Sequence, residues 1–240
     1  MGADLAVKFT FSLRRILSME QLRLSEWLGW DPLREENATK DARLLPSDKP
    51  GVSLPAMLRR RLDNAGRATC DILAGLDPEA RCPLIHASRH GDANFTLSML
   101  KALANQEPLS PTRFSMSVHN ATLGVHAIAN HHYRPLQALG ASGNEFNALL
   151  WEARGYLAEG HEAVVIVFSE GTLPGDYIDC TPHPGHACAV GLRLSLTQGR
   201  ALVAEDATPG AAPTPLDVID WLGGCSPRLA AAPGWRLEEA

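Results

Sequence analysis

The sequence predicts an α/β domain with strands layered between helices, and two observations carry that prediction. First, Tyr133–Leu157 runs from a strand through a tight turn of small residues, Leu139-Gly140-Ala141-Ser142-Gly143, into an amphipathic helix. Second, Ala163-Val164-Val165-Ile166-Val167 is an unbroken apolar run, the mark of a strand buried on both faces. Strand, turn, helix and buried strand together make a βαβ unit. Strands and helices alternate along the rest of the chain, and no internal repeat interrupts them.

The elements follow in order. Ala6–Arg14 sets Val7, Phe9, Phe11 and Leu13 against Lys8, Thr10, Ser12 and Arg14, the alternation of a half-exposed strand. Ser18–Trp30 is short and carries no decisive period. Asp31–Ser53, dense in charge and broken by Pro46 and Pro50, reads as a mobile loop. Pro55–Leu76 predicts one helix with Leu58, Leu62, Ala65 and Ile72 on one side. Cys82–Ser88 reads as a short apolar strand, and Asn94–Leu103 as a helix that Asn94 is placed to cap. Ser115–His131 predicts a longer helix through Val118, Ala121, Val125 and Ile128.

In the helix after the turn, Phe146, Leu149, Leu150, Ala153 and Leu157 recur on one face at helical period. Ser142-Gly143-Asn144-Glu145 has capping-box spacing, with Ser142 at the N-cap and Glu145 three residues on. Gly155 marks a weak interior and Gly160 a stop. Ala201–Glu205 predicts a last strand and Thr208–Pro215 a linker. Thr214-Pro215-Leu216-Asp217 then resembles a helix start, with Gly223-Gly224 ending it. The expected organisation is a domain over 1–205 and a linker with a short helical extension over 206–240.

Size and composition narrow the class. A chain of 240 residues, 45% hydrophobic and 20% charged, is ample for a self-standing core. A net charge of −5 without a basic stripe argues against nucleic-acid binding. Arg59-Arg60-Arg61 reads as a solvated helix face, or as a docking patch for an acidic carrier protein. The N-terminus lacks a signal-peptide layout, and no apolar stretch approaches the ~18 residues of a membrane span. Cys70, Cys82, Cys180, Cys188 and Cys225 are scattered and lack CxxC spacing, which fits reduced thiols in a cytoplasm.

The turn and its neighbours resemble the N-terminal half of the β-ketoacyl synthases, from about Leu84 to about Ser195. In that family a strand ends in A-C-x-S-G, the cysteine heads a long helix, and a strand like V-M-V-A-G-G-x-E follows. Leu139–Gly143 falls on the cysteine motif and Val164–Glu170 on the following strand. His186–Leu194 falls, more weakly, on the family's G-E-G-A-G strand. The resemblance implies a thiolase-like half-fold, a mixed β-sheet with helices on both faces. It places Gly140 at the nucleophile position, flanked by Ala141, Ser142 and Gly143.

No histidine follows Ser195, where the family keeps its two active-site imidazoles. Decarboxylating condensation needs a thiolate and groups that stabilise the enolate charge. The chain is therefore most similar to the chain-length-factor subunits of bacterial aryl polyene clusters. This implies a non-catalytic, cytoplasmic subunit without cofactor or metal, paired as a heterodimer with a full-length β-ketoacyl synthase. An acyl carrier protein is met only indirectly. The helix and strand before the turn would form the interface and cap the acyl tunnel. Met116, His119, Asn120 and Leu123 are the interface or tunnel candidates, and a plain amphipathic helix accounts for each equally well. By the same resemblance, Glu170 would hold nearby N–H groups or a partner.

Three further constellations have competing readings. Ser142 invites a small serine hydrolase or acyltransferase, with Asp176 or Asp179 and His183 or His186 completing a triad. The local run departs from G-x-S-x-G by an asparagine in its last place, and a helix cap explains Ser142 without catalysis. Cys180, His183, His186 and Cys188 suit zinc by type, but their spacing matches no zinc ribbon, and a proline-rich loop before a buried strand cysteine is the plainer account. An off-register Cys180 or Cys188 as nucleophile lacks a helix N-terminus to lower its pKa.

Overall fold

A computed structural model describes residues 21–34, 41–46 and 48–238. The expected strand at Ala6–Arg14 lies outside the described residues. Among these residues seven strands form one sheet in the order β3-β2-β4-β5-β1-β6-β7. They are β1 (Arg23–Trp30), β2 (Leu84–Ala87), β3 (Leu136–Leu139), β4 (Val164–Glu170), β5 (Cys188–Ser195), β6 (Arg200–Glu205) and β7 (Gly234–Leu237). β2 runs parallel to both β3 and β4, and the other pairings are antiparallel. The helices are α1 (Ala56–Arg59), α2 (Asn64–Leu76), α3 (Ala93–Ala104), α4 (Pro111–Phe114), α5 (Ala121–Asn130), α6 (Glu145–Ala158) and α7 (Pro215–Leu222).

Every residue of β4 is buried, and its side chains alternate between two cores. Val164, Ile166 and Phe168 join Phe146, Leu149, Leu150, Ala153 and Leu157 of α6, with Val218, Ile219 and Trp221 of α7. Val165 and Val167 point the other way, onto Ala68, Ile72, Leu73 and Leu76 of α2 and Leu123 of α5. Helices thus cover both faces, as the resemblance implies. After 205 the chain stays with this body. β7 pairs with β6, Trp221 meets Phe146 edge-on at 6.2 Å, and Trp235 donates to Asn147 Oδ1 at 2.5 Å.

The helix start at Thr214–Asp217, which the structure closes with a capping box, and the stop at Gly223 stand where the sequence puts them. Elsewhere local chemistry redraws the elements. The ambiguous Ser18–Trp30 contains β1, whose register with β5 shifts between Leu24 and Glu26. This bulge turns Leu24 and Trp27, three apart, onto one core, so a period of two does not reveal the strand. The helix expected over Pro55–Leu76 breaks before Asn64, where the Asp63 carboxylate accepts from the Gly66 N–H at 2.7 Å and starts α2 afresh. Asp92 caps α3 in place of Asn94, which donates to the Thr172 carbonyl instead. The helix expected over Ser115–His131 holds only from Ala121 to Asn130. The described part of the expected mobile loop is tied down: Gly51, Val52 and Ser53 N–H groups donate to Asp71, and Leu45 N–H to the Gly29 carbonyl.

Where α2 crosses β5, a Cβ on Gly191 would collide with Ile72 and stand 3.0 Å from Leu76 Cδ1. Gly191→Ala should therefore lower unfolding free energy by about 1–3 kcal/mol in urea titrations, with an unchanged m-value. Gly155, inside α6 with nothing within 4 Å of a Cβ, should respond oppositely. Gly155→Ala is expected to raise stability by up to about 1 kcal/mol.

Candidate functional site

The parallel strands β2, β3 and β4 end side by side, with Ala87 opposite both Leu139 and Phe168. Carboxyl ends of parallel strands are where open α/β sheets place their ligands. Three short segments emerge there: Ser88-Arg89-His90 after β2, Gly140–Asn144 after β3, and Glu170-Gly171 at the end of β4.

The turn after β3 differs from the capping box the sequence suggests. Ser142 takes a left-handed φ of 50° and Gly143 one of 107°, so the N-cap falls on Asn144, which makes no side-chain cap bond. Glu145, the first residue of α6, folds its own carboxylate back into the turn. Oε1 accepts from the Ala141 N–H at 3.2 Å and the Gly143 N–H at 2.9 Å. Oε2 accepts from Arg89 Nη2 at 2.9 Å and Nε at 3.2 Å. Burial alone would raise this carboxyl, but the Arg89 and Gly143 bonds outweigh it and hold the pKa below the usual value.

Gly140 itself is under no backbone constraint. Its φ lies outside the left-handed region, and a Cβ placed on it would find the Ser88 carbonyl at 3.7 Å, an ordinary contact. None of the five cysteines lies at this turn: Cys70, Cys82 and Cys188 are buried elsewhere, and Cys180 and Cys225 are exposed. Burial pushes the Cys82 thiol up to about 11 and those of Cys70 and Cys188 higher still.

Glu170 lies on the other side of Arg89. It accepts from the Arg89 N–H at 2.5 Å, the His90 N–H at 3.4 Å and Ser88 Oγ at 3.3 Å. Burial outweighs these donors and raises its pKa to about 7. His86 and Ser169 approach at 2.8 Å between Nε2 and Oγ, and His119 stacks on His86 with ring centroids 6.3 Å apart. Burial, reinforced by His119, lowers the His86 pKa to about 3, so the ring is neutral. A cavity of about 100 Å³ opens here, lined by His86, Ser88, Ser169, Asp63, Met116 and His119.

The structure brings some expected residues together and separates others. Met116 and His119 share that cavity, and His119 Nε2 donates to the Leu139 carbonyl at 2.7 Å, beside Gly140. Asn120 is exposed at the start of α5. Leu123 is fully buried in the α2–β4 core and reaches no surface. Ser142 is exposed, and no described hydrogen bond joins it to a histidine. Two of the triad candidates are engaged elsewhere: His186 with Asp31 at 2.8 Å and Asp176 with Lys101 at 3.0 Å. Cys188 sits within β5, and among the described residues no group of three or more His, Cys, Asp or Glu is placed to hold a metal. Nor is any described helix long and apolar enough to cross a membrane. The sequence reading missed Arg89, His86 and Ser169. The run His86-Ala87-Ser88-Arg89-His90, polar at the end of an apolar strand, was the available signal.

This half-fold, with its strand-to-helix turn at the carboxyl end of a parallel edge, is that of the ketosynthases. The profile described as "Beta-ketoacyl synthase, N-terminal domain" matches residues 27–216, and the chain belongs to that family. Among solved structures it is similar to a chain of "Ketosynthase (ApeO) in Complex with its Chain Length Factor (ApeC) from Xenorhabdus doucetiae". That match has 26% identity and a TM-score of 0.74, covering 91% of this chain and 99% of that one. Two others share the fold at 12% identity. "The ishigamide ketosynthase/chain length factor" has a TM-score of 0.54 over 73% of this chain and 62% of that one. A β-ketoacyl synthase from Burkholderia phymatum STM815 has 0.53 over 74% and 59%. No curated protein matches the sequence.

The raised Glu170 pKa has a sign that can be tested. Between about pH 4.5 and 7 the folded state holds a proton that the unfolded state releases, so stability falls as pH rises through that window. Glu170→Gln should remove this slope, up to about 1.4 kcal/mol per pH unit, in urea denaturation at several pH values. An unchanged slope would mean that Glu170 is ionised throughout.

Proposed function

We propose that this chain is a non-catalytic chain-length-factor subunit. It pairs with a complete β-ketoacyl synthase in fatty-acid or polyketide assembly of the aryl polyene kind, in the cytoplasm. The observation that carries the reading is Gly140. By the family resemblance it takes the nucleophile position; it carries no thiol, and nothing in the backbone demands a glycine there. The match to a chain of nearly equal length in a ketosynthase–chain length factor complex supports the same reading.

The surface supports a partner. Among the described strands β3 lies at the edge, hydrogen-bonded to β2 on one side, and such an edge is a template for another chain. Leu136 on it, with Ile128 and Tyr133 beside it in sequence, exposes apolar surface. Not one residue from 93 to 120 is buried, although Leu100, Leu103, Phe114 and Val118 are large and apolar. Such area on a lone chain marks an interaction surface. In the pair, this segment would meet the ketosynthase and set the far wall of its acyl tunnel. Bulky side chains there stop elongation when the product fills the space. Met116, His119 and Asn120 are the candidates for that role. Leu123 is buried in this chain, and its truncation would act through stability, by about 2–5 kcal/mol.

Co-expressed with the ketosynthase encoded beside it, the chain should co-purify in a 1:1 complex. Leu136→Lys on the edge strand should break that complex while leaving the circular-dichroism spectrum intact. Recovery of a monodisperse lone chain that never retains the ketosynthase would overturn the pairing. In the reconstituted pair, Met116→Ala is expected to lengthen products by one or more extension units by mass spectrometry. Unchanged products from Met116→Ala and His119→Ala together would remove the tunnel role.

A further inference from the structure

We propose that Glu145 occupies the anion-binding place at the head of α6 and makes the Gly140 bend hostile to a thiolate. The bend would then be silent for two reasons, the missing sulfur and a built-in carboxylate. The inference rests on residue 140 being the nucleophile position and deepens that reading. Glu145 is a positioning residue in it, since it touches the turn and not a substrate.

A helix N-terminus offers unpaired N–H groups and a partial positive charge, and these lower the pKa of a thiol placed beside it. In this chain the turn that leads into α6 already holds a carboxylate. The Ala141 and Gly143 N–H groups both donate to Glu145, which is 1% exposed. Its second oxygen takes the Arg89 fork. The charged groups facing the bend are therefore Glu145, Arg89 and, beyond it, Glu170, joined by the His119 imidazole on the Leu139 carbonyl. The Arg89 guanidinium is committed to Glu145, and Glu170 is bonded by the Arg89 backbone N–H. A thiolate at 140 would add a negative charge next to a buried carboxylate, where little water screens the repulsion.

The bend has room for the experiment, because the nearest atom to a Cβ at 140 is the Ser88 carbonyl at 3.7 Å. Gly140→Cys is alkylated with iodoacetamide over roughly pH 6 to 10, and modification of the peptide containing residue 140 is followed by mass spectrometry. That readout separates it from the exposed Cys180 and Cys225. The new thiol should titrate at or above the ordinary value of about 8.5. Adding Glu145→Gln, which keeps an oxygen acceptor for the turn, should lower it by about one unit or more, roughly tenfold more thiolate at neutral pH. Adding Arg89→Gln in its place should raise it further.

A Gly140→Cys thiol titrating below about 7.5, or one that Glu145→Gln fails to lower, overturns the proposal. Circular dichroism checks each variant, and if Glu145→Gln does not fold, the Arg89→Gln arm decides, an unchanged thiol then counting against it. These titrations use the chain alone. Failure to bind a ketosynthase would remove the subunit reading and leave this result standing, and the reverse outcome is equally separable.

Discussion

Arg89 stands between two buried carboxylates at the point where the parallel strands end. Its side chain bonds Glu145 across the turn after β3, and its backbone N–H bonds Glu170 at the end of β4. Three segments distant in sequence are thereby fixed to one another by a single residue. The pair with Glu145 is nearly dry, with the two side chains 12% and 0% exposed, so removing either partner would strand a buried charge at a cost of about 3–5 kcal/mol. Arg89 also explains why two neighbouring glutamates behave differently. The guanidinium fork is committed to Glu145, which stays ionised. Glu170 has only backbone N–H groups and a hydroxyl against its desolvation, and its pKa climbs to about 7.

The parts of this fold that the sequence discloses are those fixed by neighbours along the chain. The apolar stripe of α6 and the continuous run of β4 are local patterns, and both stand as read. So does Thr214–Asp217, where cap and partner lie three residues apart. The misreadings share a cause: a single residue changes the phase. Ser25 bulges and realigns Leu24 with Trp27, and Asp63 caps a helix in what looked like helix interior. Ser142 enters the left-handed region and gives up the N-cap to Asn144. Glu145 is the instructive case, because its spacing marks it correctly as a turn-binding side chain. Its real partners add Arg89, fifty-six residues away, and no periodicity encodes that contact.

The cavity beside the turn bears on how a chain-length role would be executed. Its lining is largely polar, with His86, Ser88, Ser169, Asp63 and His119 around it and Leu62, Met116 and Val118 among its apolar members. An alkyl or polyene chain entering it would desolvate hydroxyls and imidazoles without giving them hydrogen bonds, at roughly 1–3 kcal/mol for each group left unpaired. At about 100 Å³ it is also far smaller than an extended acyl chain requires. In the proposed pair the product would therefore run past this cavity and not into it, along the exposed segment that leads from α3 to α5 and carries Met116, His119 and Asn120. There Leu100, Leu103, Phe114 and Val118 lie open on the lone chain and would be dry only against a partner. His119 ties that segment to the bend, donating to the Leu139 carbonyl beside Gly140.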